Sequence, residues 1–237
     1  MIKKKIHYCW FGGNDIPNNL KKYINSWEKY CPDYEIKLWD ESNFDVYAHP
    51  FTKAAYEAKA WAFVSDYARL KIIYDEGGIY LDTDVELLKS LDLVLLNKCY
   101  VGIEQNGNRC NTGLGFGAEK NNSVVKKMLE VYDNIVFDSE KLMDIECPKL
   151  NTNVIKSMGE FSLHELTFLP EVTIYPPQYM DPISTGKTKN LLCDETISIH
   201  HYSASWTRGK DRLKRRIVEL VGVQRYFKIK KIFGRTL

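Results

Sequence analysis

The nine residues Glu76-Gly-Gly-Ile-Tyr-Leu-Asp-Thr-Asp84 constrain this chain more than any other stretch. Two glycines permit a tight helix-to-strand turn, an apolar run follows, and two carboxylates stand at its end. In an extended chain side chains alternate, so Asp82 and Asp84 project to the same side. The apolar residues predict a buried strand that aims the pair. Two carboxylates so placed make a hard-oxygen site for Mg²⁺ or Mn²⁺.

The flanking sequence predicts the sheet. Ile6-His-Tyr-Cys-Trp-Phe11 reads as a buried first strand running into Gly12-Gly13. Residues 18–30 show helical spacing through Leu20, Ile24 and Trp27 and stop before Pro32; residues 34–39 alternate as a second strand. This β-α-β opening predicts an α/β domain with a largely parallel sheet. Residues 54–76 predict one long helix closed by Gly77-Gly78. It is apolar on most sides, which predicts burial. Asp66 and Arg69 nevertheless share one of its faces, and a charged pair there needs an explanation. Further strands are expected over 79–85, 100–104, 113–118, 168–176 and 196–202, with a helix over 123–137. Asn111-Thr112-Gly113 reads as a loop.

Two other features bear on chemistry. In Ile197-Ser-Ile-His-His201, apolar and polar positions alternate, so His200 and His201 point to opposite sides. A neutral imidazole can complete a metal site begun by the aspartates, or the two can simply cap a strand. Trp10 stands where the first strand meets its glycine turn, a place suited to stacking on a nucleobase. The 13% aromatic content suits such stacking, and equally a dense core.

Charge is unevenly spread. Residues 208–237 hold eleven Lys/Arg against Asp211 and Glu219, a balance of +9, leaving −7 over the rest. Leu213, Ile217, Leu220 and Val221, then Tyr226, Ile229, Ile232 and Phe233, recur at helical spacing among those basic residues. That is the pattern of an amphipathic helix on an anionic membrane surface, or of terminal helices docked on the domain with solvated basic faces. No nucleic-acid motif accompanies it. The six cysteines form neither a CxxC pair nor a zinc spacing, and the basic N-terminus lacks the apolar run of a signal peptide; both predict a cytoplasmic chain with reduced thiols, peripheral on the inner membrane face if the tail binds there. A two-metal phosphohydrolase is a rival, but the extra carboxylates it would want are missing.

Ser65-Asp66-Tyr-Ala-Arg69 followed by Gly77-Gly-Ile-Tyr-Leu-Asp-Thr-Asp84 resembles the signature of glycosyltransferase family 32, whose members include capsular polysaccharide enzymes. It is also similar to the catalytic domain of the large clostridial glucosylating toxins, where an Asp-x-x-Arg pair precedes the D-x-D by the same interval. The opening Ile6-His-Tyr-Cys-Trp-Phe-Gly-Gly13 and the closing His200-His-Tyr-Ser-Ala-Ser-Trp206 match in order as well. The resemblance implies a GT-A fold over residues 1–207, with a nucleotide-sugar half (1–110), an acceptor half (111–207) and the basic helical tail (208–237) beyond.

It also implies roles. Trp10 would stack on the base, Asp66 and Arg69 would hold the donor sugar's hydroxyls, and Asp82 would contact ribose, sugar and metal. Asp84 would bind the metal, Asn111 would face the transferred sugar, and Ser205 with Trp206 would complete the nucleotide-sugar site. Of the two histidines, His201 is the favoured third ligand. The cofactor would be Mn²⁺ or Mg²⁺. The reaction implied is retaining transfer of a hexose from UDP-galactose or UDP-glucose, with GDP-mannose next, to a surface-polysaccharide or lipid-linked glycan; a protein acceptor is the alternative. The segment 138–195 is expected to shape the acceptor pocket.

Overall fold

A computed structural model describes residues 1–184 and 188–203 of the 237. Ser205, Trp206 and the basic segment 208–237, with the roles expected of them, lie outside the described residues. The chain opens with β1 (Lys5–Cys9), α1 (Asn18–Tyr30) and β2 (Glu35–Trp39). β1 and β2 pair in parallel, as the opening β-α-β pattern predicts. Leu20, Tyr23 and Trp27, at helical spacing, turn one face of α1 into the core.

The single helix expected over 54–76 is two helices, α2 (Pro50–Glu57) and α3 (Trp61–Glu76). Ala58-Lys-Ala60 favours continuing a helix, yet Lys59 adopts φ 57° and the Ala60 N–H reaches back to the Ala55 carbonyl at 2.8 Å. The break lets Trp61 pack edge-on against Tyr56, ring centroids 4.9 Å apart. Tertiary packing outweighs local propensity here. α3 does end at its glycines: Gly77 and Gly78 take φ 69° and 108°, and a Cβ on either would stand 2.8 Å from a backbone atom, Lys120 N or Lys5 O.

β3 (Gly78–Tyr80) is shorter than the strand expected over 79–85. The Val85 N–H bonds to the Asp82 carbonyl at 3.0 Å, closing a turn before β4 (Val85–Leu87). Asp82 and Asp84 therefore lie on a turn, and strand alternation is not what brings them together. The chain continues through β5 (Cys99–Glu104), β6 (Arg109–Ala118), α4 (Ser123–Tyr132), α5 (Cys147–Lys156), β7 (Thr167–Leu169), β8 (Val172–Tyr175), α6 (Pro177–Met180) and β9 (Ser198–His200). Asn111 lies inside β6 rather than in a loop, and an antiparallel β7–β8 hairpin replaces the one strand expected over 168–176.

The main sheet has the order β2-β1-β3-β6-β5-β8-β7, and β4 and β9 form a separate antiparallel ribbon. Five of the seven strands run the same way, with β6 and β7 reversed. Helices α2 to α5 cover one face around Val64, Ile72, Val125 and Ile155. On the other face α1 and the ribbon enclose a second core around Trp27, Leu87 and Val94. The Trp27 indole N–H, donated to the Val85 carbonyl at 2.8 Å, ties the two.

Candidate active site

A cavity of about 450 Å³ opens at the carboxyl ends of β1 and β3, where ligands bind in open α/β sheets. Trp10, Asp66, Arg69, Asp82, Asp84 and Asn111 all line it, so the structure brings together residues drawn from β1, α3, the acidic turn and β6. His200 joins them from β9.

Arg69 organises the floor. It is 5% exposed, and its Nη2 lies 3.1 Å from Asp66 Oδ1 and 3.0 Å from Asp82 Oδ1. Its guanidinium also sits 4.9 Å from the centre of the Tyr80 ring, whose hydroxyl donates to Asp82 Oδ1 at 3.0 Å. The pair expected on α3 is thus a network of three, which accounts for a charge in an apolar helix: a buried cation shared by two carboxylates is compensated. Burial pushes the Asp66 carboxyl up to about 6, with Arg69 pulling the other way.

Three groups able to hold a metal ion converge through long-range pairing. β4 and β9 pair so that Val85 stands opposite His200, and this register hangs His200 over the acidic turn. His200 Nε2 lies 3.0 Å from Asp84 Oδ1 and 3.9 Å from Asp82 Oδ2. One ligand atom each from Asp82, Asp84 and His200 falls within 4.8 Å of the others. Two carboxylates and an imidazole suit a divalent ion of the Mn²⁺ kind, and Mg²⁺ less well because it prefers oxygen alone. The residues fit the expected cofactor. Burial lowers the affinity of His200 for a proton, but Asp84 outweighs it and lifts its pKa to about 9. Burial likewise penalises the Asp84 charge, yet His200 and the Ser203 N–H (2.6 Å) bring Asp84 down to about 2.

His201, the favoured ligand, faces away. Its Nε2 meets Glu86 Oε2 at 2.8 Å, and its ring stacks on Tyr23 with centroids 4.2 Å apart. Adjacent residues at a strand's end point to opposite sides, and the β4–β9 register decides which one sees the aspartates.

Four further residues line the cavity without a site role read from the sequence. Tyr80, two residues before Asp82, carries the signal of strand alternation. Tyr202, at φ 47°, packs its ring edge-on 4.1 Å from His200 and donates to Asp181 Oδ2 at 2.8 Å. The start of α5 brings Glu146 and Cys147 to the cavity beside Asp66, so part of segment 138–195 borders this same cavity. Pro148 near that helix start was the available signal.

Fold and acidic cavity together have the arrangement of a GT-A type domain. Residues 17–101 match the family described as glycosyltransferase sugar-binding region containing DXD motif. The chain is 34% identical over 123 residues to inositol phosphoceramide mannosyltransferase 3 of Schizosaccharomyces pombe, covering 48% of this chain and 33% of that protein. It is 31% identical over 97 residues to an uncharacterized glycosyltransferase of Acanthamoeba polyphaga mimivirus, covering 38% and 39%. The chain therefore spans little more than a third of the length of these curated relatives. The PaToxG glycosyltransferase shares the fold, with a TM-score of 0.55 at 21% identity over 66% of this chain and 69% of the other. Residues 17–101 thus carry the DXD-containing sugar-binding region, and the chain is similar to glycosyltransferases of the family-32 type.

Proposed function

We propose that the chain transfers a hexose from a nucleotide sugar to a glycan acceptor with retention of configuration. The observation that carries this reading is the meeting of Asp82, Asp84 and His200 with the Asp66–Arg69 pair in one cavity. Its volume lies within the range of small-ligand sites.

Cleaving the anomeric C–O bond leaves the electron pair on a diphosphate oxygen and positive charge on the anomeric carbon. Asp82, Asp84 and His200 would hold a divalent ion, which would supply Lewis-acid charge at that leaving group. Trp10, its N–H fixed on the Asn14 carbonyl at 2.6 Å, offers its ring to the base. Asp66 accepts from a sugar hydroxyl while Arg69 fixes its position, and Asn111 faces the transferred sugar. Asp66 and Asp82 are both held by Arg69, which disfavours either as a covalent nucleophile. Attack by the acceptor hydroxyl on the face the diphosphate leaves, its proton passing to the departing phosphate, is the mechanism this arrangement supports.

UDP-galactose and UDP-glucose lead the donors, with GDP-mannose next; the mannosyltransferase name of the fission-yeast relative keeps mannose in play. That name also includes a lipid, which supports a lipid-linked acceptor, brought within reach if residues 208–237 bind an anionic membrane. The test is a panel of nucleotide sugars with Mn²⁺, read as release of free nucleoside diphosphate. One donor should turn over slowly without acceptor, and excess EDTA should stop it. Asp66→Ala should weaken binding of that donor about tenfold or more while binding of the bare nucleoside diphosphate changes less than about twofold. No release from any donor would overturn the reading.

A further inference from the structure

Glu104 closes β5 and is 5% exposed, yet no part of the chemistry above uses it. Its Oε1 accepts from Arg109 Nε at 3.0 Å, and its Oε2 accepts from Asn111 Nδ2 at 3.0 Å. Arg109 in turn reaches Glu146, at the start of α5 on the cavity wall. A carboxylate buried this deeply, with both oxygens engaged, holds its partners in a fixed arrangement.

The partner of interest is Asn111. An amide side chain can flip, exchanging oxygen for nitrogen, and only its neighbours decide between the two. Here both neighbours agree. An ionised carboxylate can only accept, so Glu104 takes the NH₂ group. The Gly113 N–H can only donate, and it donates to Asn111 Oδ1 at 2.8 Å. That oxygen points toward the acidic turn: a Cβ placed on Gly113 would stand 3.1 Å from Asn111 Oδ1 and 2.2 Å from Asp82 Oδ2. The glycine leaves room for the two oxygens to approach one another at the cavity wall. Where positive charge builds on an anomeric carbon, an amide oxygen stabilises it and an amide NH₂ opposes it.

We propose that Glu104 is a positioning residue, which fixes the Asn111 side chain with its oxygen toward the transferred sugar. The inference rests on the sugar-transfer reading and adds to it a group outside the cavity chemistry. Glutamine cannot replace Glu104 in this role. It has one oxygen, and if Arg109 keeps that oxygen, its NH₂ faces Asn111 and forces the amide to flip, setting a donor against the Gly113 N–H.

The test is Glu104→Gln beside the double variant Glu104→Gln/Asn111→Asp. In the double variant the carboxylate introduced at 111 accepts from both the new amide and the Gly113 N–H, so oxygen again faces the sugar. For the donor that the wild type turns over, Glu104→Gln should lower kcat by roughly 10–100-fold with KM within about threefold. Its melting temperature should stay within a few degrees, and the double variant should recover at least about fivefold of the lost kcat. ¹⁵N NMR supplies a readout free of turnover: the Asn111 NH₂ protons should exchange slowly in the wild type and lose that protection in Glu104→Gln. Wild-type kcat in Glu104→Gln, no recovery in the double variant, or unprotected Asn111 protons in the wild type would each overturn the proposal. A wild type that releases no nucleotide but shows the protected amide would defeat the transferase reading and leave the positioning intact.

Discussion

Two regions of this molecule bury a histidine, and they treat it in opposite ways. His7, on β1 at the foot of the sheet, is fully buried; its Nε2 donates to the Gly77 carbonyl at 2.9 Å and its Nδ1 accepts from Trp39 Nε1 at 3.0 Å. Burial pushes its pKa down to about 4, and the Gly77 carbonyl only partly offsets that. His200, at the cavity, is nearly as buried but faces two aspartates and rises to about 9. Depth alone would lower both. What differs is the partner: a carbonyl and an indole keep a ring neutral, whereas carboxylates charge it. Both nonetheless serve the same motif, His7 by holding the turn where β3 begins and His200 by closing the site where it ends.

The sharpest way to break the contrast is to remove the charge that His200 faces. Asp84→Asn should cut donor turnover at least about 10³-fold, the loss of several kcal/mol of transition-state stabilisation. In the metal-free variant the His200 ring should also titrate well below 9, which NMR of the imidazole protons would read. A ring still titrating near 9 would assign the shift to Asp82 and Asp181 instead.

Next in size is the pH dependence of folding. Between about 4 and 6.5 the unfolded chain protonates His7 and the folded chain does not, so stability falls as pH drops through that window, by about 3 kcal/mol in all. His200 works the other way. Its contribution in the metal-free protein is complete below 6.5 and disappears as pH rises toward 9. Urea unfolding at pH 4.5, 6.5 and 9 should therefore show greatest stability near the middle value, and saturating Mn²⁺ should remove the loss at high pH. Stability rising steadily from 6.5 to 9 without metal would contradict the assignment of His200. The smallest effect separates the neighbours in sequence: calorimetry should show His200→Ala weakening Mn²⁺ binding at least about tenfold, and His201→Ala about threefold or less.

Much of the fold was legible where the determining forces are local. Helix α1 follows from apolar spacing and Pro32, and the glycine turn before β3 from two residues that tolerate positive φ. Asp66, Arg69, Asp82 and Asp84 stood out because charge on an apolar helix, or at the end of an apolar run, demands a reason. What could not be read depends on distant partners. The break at Lys59 answers to Trp61 and Tyr56, not to the alanines around it. Asn111 resembles a loop residue until β5 supplies the strand that it pairs with. Alternation separates His200 from His201, but only the pairing of β4 with β9 says which of them meets the aspartates. Glu104 became legible only once the β5–β6 hairpin set it opposite Arg109 and beside Asn111.

That same ribbon sets an order of events during synthesis. Glu86 and His201, neighbours across it, are 115 positions apart in the chain, and closing a loop of that length costs about 4 kcal/mol of chain entropy. The acidic turn leaves the ribosome long before the histidine that completes it. Until residues 198–203 dock, the Asp82 carboxylate is held by Arg69 and Tyr80, and Asp84 lacks both His200 and the Ser203 N–H. The cluster of Asp82, Asp84 and His200 thus cannot assemble before residues 198–203 have left the ribosome.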